Sequence, residues 1–417
     1  MAQKSNDVCL DPGEGYDGAW MRQFPLATVG RHIVNISGDR FRFKGVNWYG
    51  ASDSYHVVGG LDVQRLDVIC ATIRTLGFSV VRLPFSNEML RRAPLDGSIN
   101  LTLNPELNGK SALEVLDEVV LCLGRHSIAV VLNNHTTLGE WCGGPDKNGL
   151  WFSPGCKTYT EESWMRDWVM LATRYKNCVH VVGFDLRNEV RFCPWPLRWP
   201  SWAPSSSASC FGAADWSAAA TECAERVLAR CPNALIIVER VIWPMHGLRG
   251  YAMSPGPLLP RFAGRLVLGV HHYSWNGPGR YLAFSHKLTG AMHWVGKVLR
   301  GIGIFSEANY GDLDRDALFE ELVKQWGFLL ESNTCPVWVS EFGANADEEY
   351  DMRFFSQFVA FLEAVDADWA YWPLNVGPKP ASGDPESYGM LADDWTPKLE
   401  ADPRLEKLRS VGVAQHP

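Results

Sequence analysis

Two glutamates could do chemistry as a pair. Glu189 follows Asn188 at the end of one β-rich run, and Glu341 ends another, Val337-Trp338-Val339-Ser340. Cleavage of a glycosidic bond needs two such carboxyls. One protonates the leaving oxygen, and the other, ionised, attacks the anomeric carbon or activates water. Their pKa values must be split. Partial burial and an anionic neighbour raise the acid, whereas a nearby Arg and hydrogen-bond donors hold the nucleophile ionised. Arg82 and Tyr273, also at the ends of β-rich runs, are suited to that second task, and Asn134, His135, His271, His272 and Trp372 end further runs. Each alone has a structural explanation: a strand-end Glu more often caps a helix or pairs with an Arg, and a rim His is more often a satisfied structural residue. The chemical reading therefore needs a fold that brings distant strand ends to one place.

The rhythm of the chain predicts such a fold. Short β-rich runs alternate with amphipathic helices, the pattern of a parallel sheet covered by helices. Eight runs are expected, at 45–48, 79–83, 128–132, 181–186, 234–238, 266–270, 337–340 and 369–372. Helices are expected near 61–76, 111–125, 162–176, 214–230, 315–331, 349–365 and 403–411. Runs rich in Val, Ile and Leu suit a sheet buried on both faces. Eight repeats of strand and helix predict a (β/α)8 barrel, an α/β fold whose long insertions after strands three, four, six and eight share the catalytic rim. Residues 1–28 read as an N-terminal extension. Residues 29–43 read as a hairpin at the barrel bottom, turning at Ser37-Gly38-Asp39. No repeat or low-complexity linker marks a second domain, so residues 1–417 are expected to form one unit.

Composition narrows the partners. The chain has 417 residues and a formal charge of −8, with no Lys/Arg run, which argues against nucleic acid or an anionic membrane. No stretch approaches the roughly 20 apolar residues of a membrane span. A neutral carbohydrate substrate fits better. The 18 Trp residues are the outlying number. Trp141, Trp151, Trp195, Trp199, Trp202, Trp275 and Trp395 sit in Gly/Pro-rich stretches, where indole can stack on the apolar face of a sugar or clamp a long loop to the barrel. Of the 11 Cys, Cys142 with Cys156 and Cys193 with Cys210 could close as local disulfides. Those pairs favour an oxidising, extracellular setting, although the start MAQKSNDVCL lacks a signal-peptide core and leaves an intracellular protein as the other reading. Cys70, Cys122 and Cys178 read as buried thiols. No Cys/His cluster has zinc-site spacing, and neither a metal nor a cofactor is expected.

Arg82-Leu83-Pro84, Asn134-His135, Asn188-Glu189, His271-His272-Tyr273, Ser340-Glu341-Phe342-Gly343 and Trp372, in this order and on these strands, resemble glycoside hydrolase family 5, the cellulase-type retaining β-glycosidases. The resemblance runs from about residue 43 to 375. It implies that Glu189 is the general acid/base and Glu341 the nucleophile, with Arg82 and Tyr273 orienting Glu341. It implies that Asn188 binds the sugar 2-hydroxyl, that His135 and His271 flank that sugar, and that Trp372 is its platform. Double displacement through a covalent intermediate would place the carboxyls about 5 Å apart. Many family members carry Pro after the acid/base. Here Val190 follows, and the segment Asn133-Asn134-His135 with Trp141-Cys142 points away from the best-known bacterial cellulases.

Lesser candidates for sugar contact are Asn47, Trp48 (equally a core residue), Trp243, Trp275, Asp53 and His56, while Glu239 reads as a structural ion-pair partner. A β-glucosidic substrate is expected, with exo action if the long loops wall off a pocket and endo action if the groove is open. Three other readings use the same residues. A transglycosylase or a glycolipid-specific glycosidase would keep the whole set. A non-catalytic sugar-binding barrel has no need of both glutamates. A metal-dependent hydrolase would have to draw ligands from His135, His271 and His272.

Overall fold

The computed structural model describes residues 15–411, apart from 143–146, 192, 195–196, 199, 203–213, 242–255, 257, 277–308, 380–382 and 399–401. Eight parallel strands close into a barrel: Lys44–Asn47, Val80–Ser86, Ala129–Thr136, Val181–Asp185, Leu235–Glu239, Leu266–His272, Val337–Phe342 and Asp368–Tyr371. We number these strands one to eight. Strand eight pairs with strand one through Trp369–Lys44, Ala370–Gly45 and Tyr371–Val46, which completes the closure.

The helices start where side chains satisfy their free backbone N–H groups. Ser111 and Glu114 form a reciprocal capping box for Ala112–Arg125. Thr160 caps Glu161–Tyr175, Asp215 caps Trp216–Leu228, and Asp314 caps Arg315–Leu322. The helix expected over 315–331 contains one wider turn, Val323–Gly327, before ending as Phe328–Glu331. That turn carries Trp326, whose indole N–H donates to His272 Nε2 at 2.8 Å.

Alternation along the strands sorts side chains into two layers. Val81, Leu83, Val130, Leu132, Ile236, Val238, Leu266 and Leu268 face the helices in one large core. Val80, Val131, Val182, Leu235, Ile237, Val267 and Trp338 face inward, where Trp20, Phe24, Ile33, Phe41 and Phe43 pack against them at the lower end. The hairpin in this region differs from expectation. Ala27–Val29 pairs with His32–Val34 around Gly30-Arg31. Gly30 has φ +53°, and a Cβ there would strike the Asn333 side chain at 2.3 Å, so glycine is required at that turn. The turn at Ser37-Gly38-Asp39 also forms, held by Asn35 Oδ1 accepting from Ser37 and Asp39 N–H, but only the Val34–Arg40 bridge flanks it.

Strand seven departs from strict alternation. Val339 pairs with Trp369 and Phe342 with Tyr371, so three steps on strand seven match two on strand eight. The opposite edge shows the same offset: Val270 faces Val339, and His271 faces Glu341. The extra residue is a bulge. It lets Ser340 and Glu341 both face the barrel interior while Val339 and Phe342 stay in the outer core.

Candidate active site

Arg82, fully buried, is the hub at the upper end of the barrel. Its guanidinium donates to Asp185 Oδ2 (2.8 Å), Asn47 Oδ1 (3.0 Å), Glu341 Oε1 (2.5 Å), Asn188 Oδ1 (2.8 Å) and Glu239 Oε1 (2.8 Å). These partners come from strands one, four, five and seven and from the loop after strand four. An arginine in this setting stays charged: burial opposes the cation, but Asp185, Glu341 and Glu239 together raise its pKa further.

Glu341 receives a second donor, the Tyr273 hydroxyl, at 3.1 Å on Oε2. His271 Nδ1 lies 3.0 Å from Glu189 Oε1 and 3.5 Å from Glu341 Oε2, and so bridges the two glutamates. Its Nε2 meets Ser340 Oγ at 3.1 Å and Glu239 Oε1 at 3.4 Å. Burial disfavours an imidazolium there, but Glu239 and Glu341 outweigh it and raise the His271 pKa well above the ordinary value. This carboxylate-rich setting therefore favours the imidazolium form of His271. Burial raises the Glu341 carboxyl, and His271 and Arg82 pull it back only in part. Glu239 shows the opposite balance: burial is outweighed by His271 and Arg82, and its pKa falls to about 2. Its Oε2 accepts the backbone N–H of Glu189 at 2.8 Å, which pins Glu189 in a left-handed conformation, φ +43°. Glu239 is thus structural, and its structural task is to aim Glu189.

One carboxylate oxygen of Glu189, one of Glu341 and a nitrogen of His271 all lie within 4.8 Å of one another. Retaining glycosidases hold their carboxyls about 5–5.5 Å apart, whereas inverting enzymes need roughly 6.5–9.5 Å to admit a water.

Aromatic residues form one wall. Trp372 stacks nearly parallel to His135 (7°, centroids 5.4 Å apart) and to Tyr49 (16°, 5.3 Å). Trp141 meets Tyr49 edge-on at 5.2 Å, and Trp275 stacks on Tyr273 at 5.2 Å. His135 Nδ1 is 2.8 Å from Asn133 Oδ1, and burial, with Arg82 next, keeps this ring neutral.

Two expected contacts are not made. Asn134 points into the helix layer, where it donates to Asn87 Oδ1 and accepts from Trp164 Nε1 and Arg187 Nη1. Alternation on strand three puts Asn133 and His135 inside and Asn134 outside. Trp48 is likewise core: it is fully buried and donates to the Gly59 carbonyl at 2.9 Å. Trp151 packs among Trp164 and Trp216, and Trp395 lies buried against Gly60, so both clamp loops. Asp53 is buried in its own turn, and that burial raises its carboxyl to about 7, while His56 packs against Gly139. Trp195, Trp199, Trp243 and Cys210 lie outside the described residues. Cys156 carries a free thiol, so the expected bridge to Cys142 is not formed. Cys142 Sγ instead accepts from Asn188 Nδ2 (3.4 Å) and Arg191 Nη1 (3.3 Å), which turn it toward the site rather than along its loop.

A family description, cellulase (glycosyl hydrolase family 5), matches residues 34–377. The chain belongs to glycosyl hydrolase family 5. An endoglucanase of Paenibacillus polymyxa is 29% identical to this family 5 chain over 395 residues, covering 93% of this chain and 88% of the relative. The major extracellular endoglucanase of Xanthomonas campestris pv. campestris is 30% identical over 380 residues, covering 88% and 67%. The catalytic domain of the major endoglucanase from that organism has a TM-score of 0.67 at 25% identity, covering 92% and 99%. A variant endocellulase of Pyrococcus horikoshii, solved with cellotetraose, shares the fold at a TM-score of 0.67 and 22% identity, covering 93% and 98%. As a family 5 member the protein is a retaining β-glycoside hydrolase, with the (β/α)8 barrel expected from its sequence.

Proposed function

We propose that this protein is an endo-acting β-glucanase in which Glu341 is the nucleophile and Glu189 the general acid/base. The carrying observation is the bridged carboxyl pair, close enough for direct attack and asymmetric in its partners. Glu341 has Arg82 and Tyr273 as donors, and Glu189 has only His271 among these side chains. Glu341 attacks the anomeric carbon as Glu189 delivers its proton to the leaving oxygen. The glycosyl ester on Glu341 is then hydrolysed by water that Glu189 deprotonates. As charge leaves Glu341 in the first step, the Tyr273 hydroxyl is released from the carboxylate, while Arg82 stays held by Asp185 and Glu239. Asn188, fixed by Arg82 on one side and Cys142 on the other, binds the 2-hydroxyl. His135 and Trp372 flank the same sugar.

The relatives named as endoglucanases support internal cleavage of a β-glucan over removal of a terminal glucose. The extracellular relative supports a secreted location. We read residues 1–417 as one catalytic unit, in which residues 18–43 seal the barrel's lower end and carry no chemistry. An activated 2-fluoro-β-cellobioside tests the roles. Peptide mass mapping should find the sugar on Glu341, and a label on any other residue would sink the assignment. Viscosity of a soluble β-glucan should fall faster than reducing ends appear; release of glucose alone would replace endo with exo action.

A further inference from the structure

Three metal-ligand side chains, with a fourth nearby, meet in the helix layer, outside the barrel interior. Asp67 and Cys70 are three residues apart on helix Leu66–Thr75. Cys122 lies in the last turn of helix Ala112–Arg125, and His126 is its C-cap. Spacings of three and four put each pair on one helix face. His126 Nε2 lies 2.8 Å from Asp67 Oδ1, and one ligand atom from each of Asp67, Cys122 and His126 lies within 4.8 Å of the others. The Cys70 thiol lies beside that of Cys122. The side chains of Asp67 and His126 are 63% and 23% exposed, whereas both thiols are buried behind them. A cation arriving from solvent would meet the carboxylate and imidazole first and the Cys122 sulfur last.

We propose that Asp67, Cys122 and His126 bind a zinc-type divalent ion, with solvent completing the shell. Mixed thiolate, imidazole and carboxylate donors suit Zn2+, whereas Ca2+ and Mg2+ take oxygen shells. Tetrahedral zinc holds its ligand atoms roughly 3.3–3.8 Å apart. The three ligand atoms lie up to 4.8 Å apart, so binding would draw them closer together. Arg125 is the opposing charge near Cys70. An exposed His–Asp pair by itself would contribute little to stability. A bound ion would tie two neighbouring helices of the outer ring, and its binding energy would add to stability by mass action.

The test uses the full chain, stripped with chelator and titrated with Co2+ as a coloured stand-in for zinc. One equivalent should bind with a near-ultraviolet thiolate-to-cobalt band, and Zn2+ should displace it. The band should vanish in Cys122→Ser and weaken at least tenfold in apparent affinity in His126→Ala. Zinc should raise the melting temperature of the wild type by several degrees and leave both variants unmoved. His126→Ala changes only a partly exposed side chain, so it decides the matter even if Cys122→Ser fails to fold. Absence of the thiolate band, or an unchanged band in His126→Ala, overturns the proposal. So does cobalt bound without that band, which would place the ion on oxygen and nitrogen donors such as Glu189, His271 and Glu341.

Discussion

At the lower end of the barrel the inward side chains are Val80, Val131, Val182, Leu235, Ile237, Val267 and Trp338, sealed by Phe41 and Phe43. A few residues further along the same strands they are Arg82, Asn133, Asp185, Glu239, His271 and Glu341. Both ends are equally dry. The lower end gains from that dryness, at about 1.5–3 kcal/mol for each large apolar side chain fully buried. The upper end loses by it, because desolvated charges persist only when each is paired. Stability and chemistry are thus segregated along the barrel axis, and the apolar end offsets what the charged end costs.

Substitutions at the two ends should part accordingly. Glu341→Gln should lower kcat on β-glucan by on the order of 10⁴-fold or more, while melting at or above the wild-type temperature. A variant that keeps most of its activity would end the nucleophile assignment. Trp338→Ala, at the lower end, should cost about 3–5 kcal/mol in denaturant unfolding and leave the pH profile of kcat/KM unmoved. A shifted profile would show that the ends communicate. His271→Gln removes a cation that lowers the Glu341 pKa, so the acid limb of kcat/KM should move to higher pH by about one unit. A limb that moves to lower pH would contradict the charge assigned to His271. Tyr273→Phe should cost roughly tenfold in kcat, the worth of one hydrogen bond to a charged group, with KM nearly constant.

Asp185→Asn should be the mildest change. Burial, with Glu239 next, raises the Asp185 carboxyl to about 8. A carboxyl whose folded pKa is raised binds its proton more tightly in the native state, so its contribution is present at low pH and lost as pH climbs toward 8. The amide cannot lose a proton, and the variant's stability should decline less between about pH 4 and 8 than the wild type's. An unchanged slope would mean that Asp185 is ionised throughout.

Much of this was legible in the residues. All eight strands and most of their helices could be read from periodicity and punctuation, because each run is bounded by caps or turns that a sequence displays, whereas the short helix Leu258–Arg261 between strands five and six was not among them. Glu189, Glu341, Arg82, His271 and Tyr273 could be found because each lies in the upper part of a strand or just beyond it, where side chains converge on the barrel interior. Asn134 and Trp48 misled because a strand end presents two faces, and neighbouring residues divide between them. Glu239 could be placed, but its grip on the backbone of Glu189 depends on a left-handed conformation that no residue type announces. The cysteine spacing suggested a bridge, whereas the sulfur of Cys142 is claimed by Asn188 and Arg191. The Asp67–His126 group is built from two helices, so no local motif contains it.

The extra residue in strand seven carries a consequence for how such proteins change. Closure of the barrel depends on residues that pair on both sides of the irregularity, and Glu341 depends on the irregularity itself. Shortening that strand by one position would leave eight strands with partners and turn the nucleophile's side chain to the wrong side of the wall. A chain of this type is therefore one deletion away from a well-folded relative that grips sugars and cannot cut them. Intact packing in a homologue is then no guarantee of turnover, and the count of residues between Val339 and Phe342 is the better diagnostic.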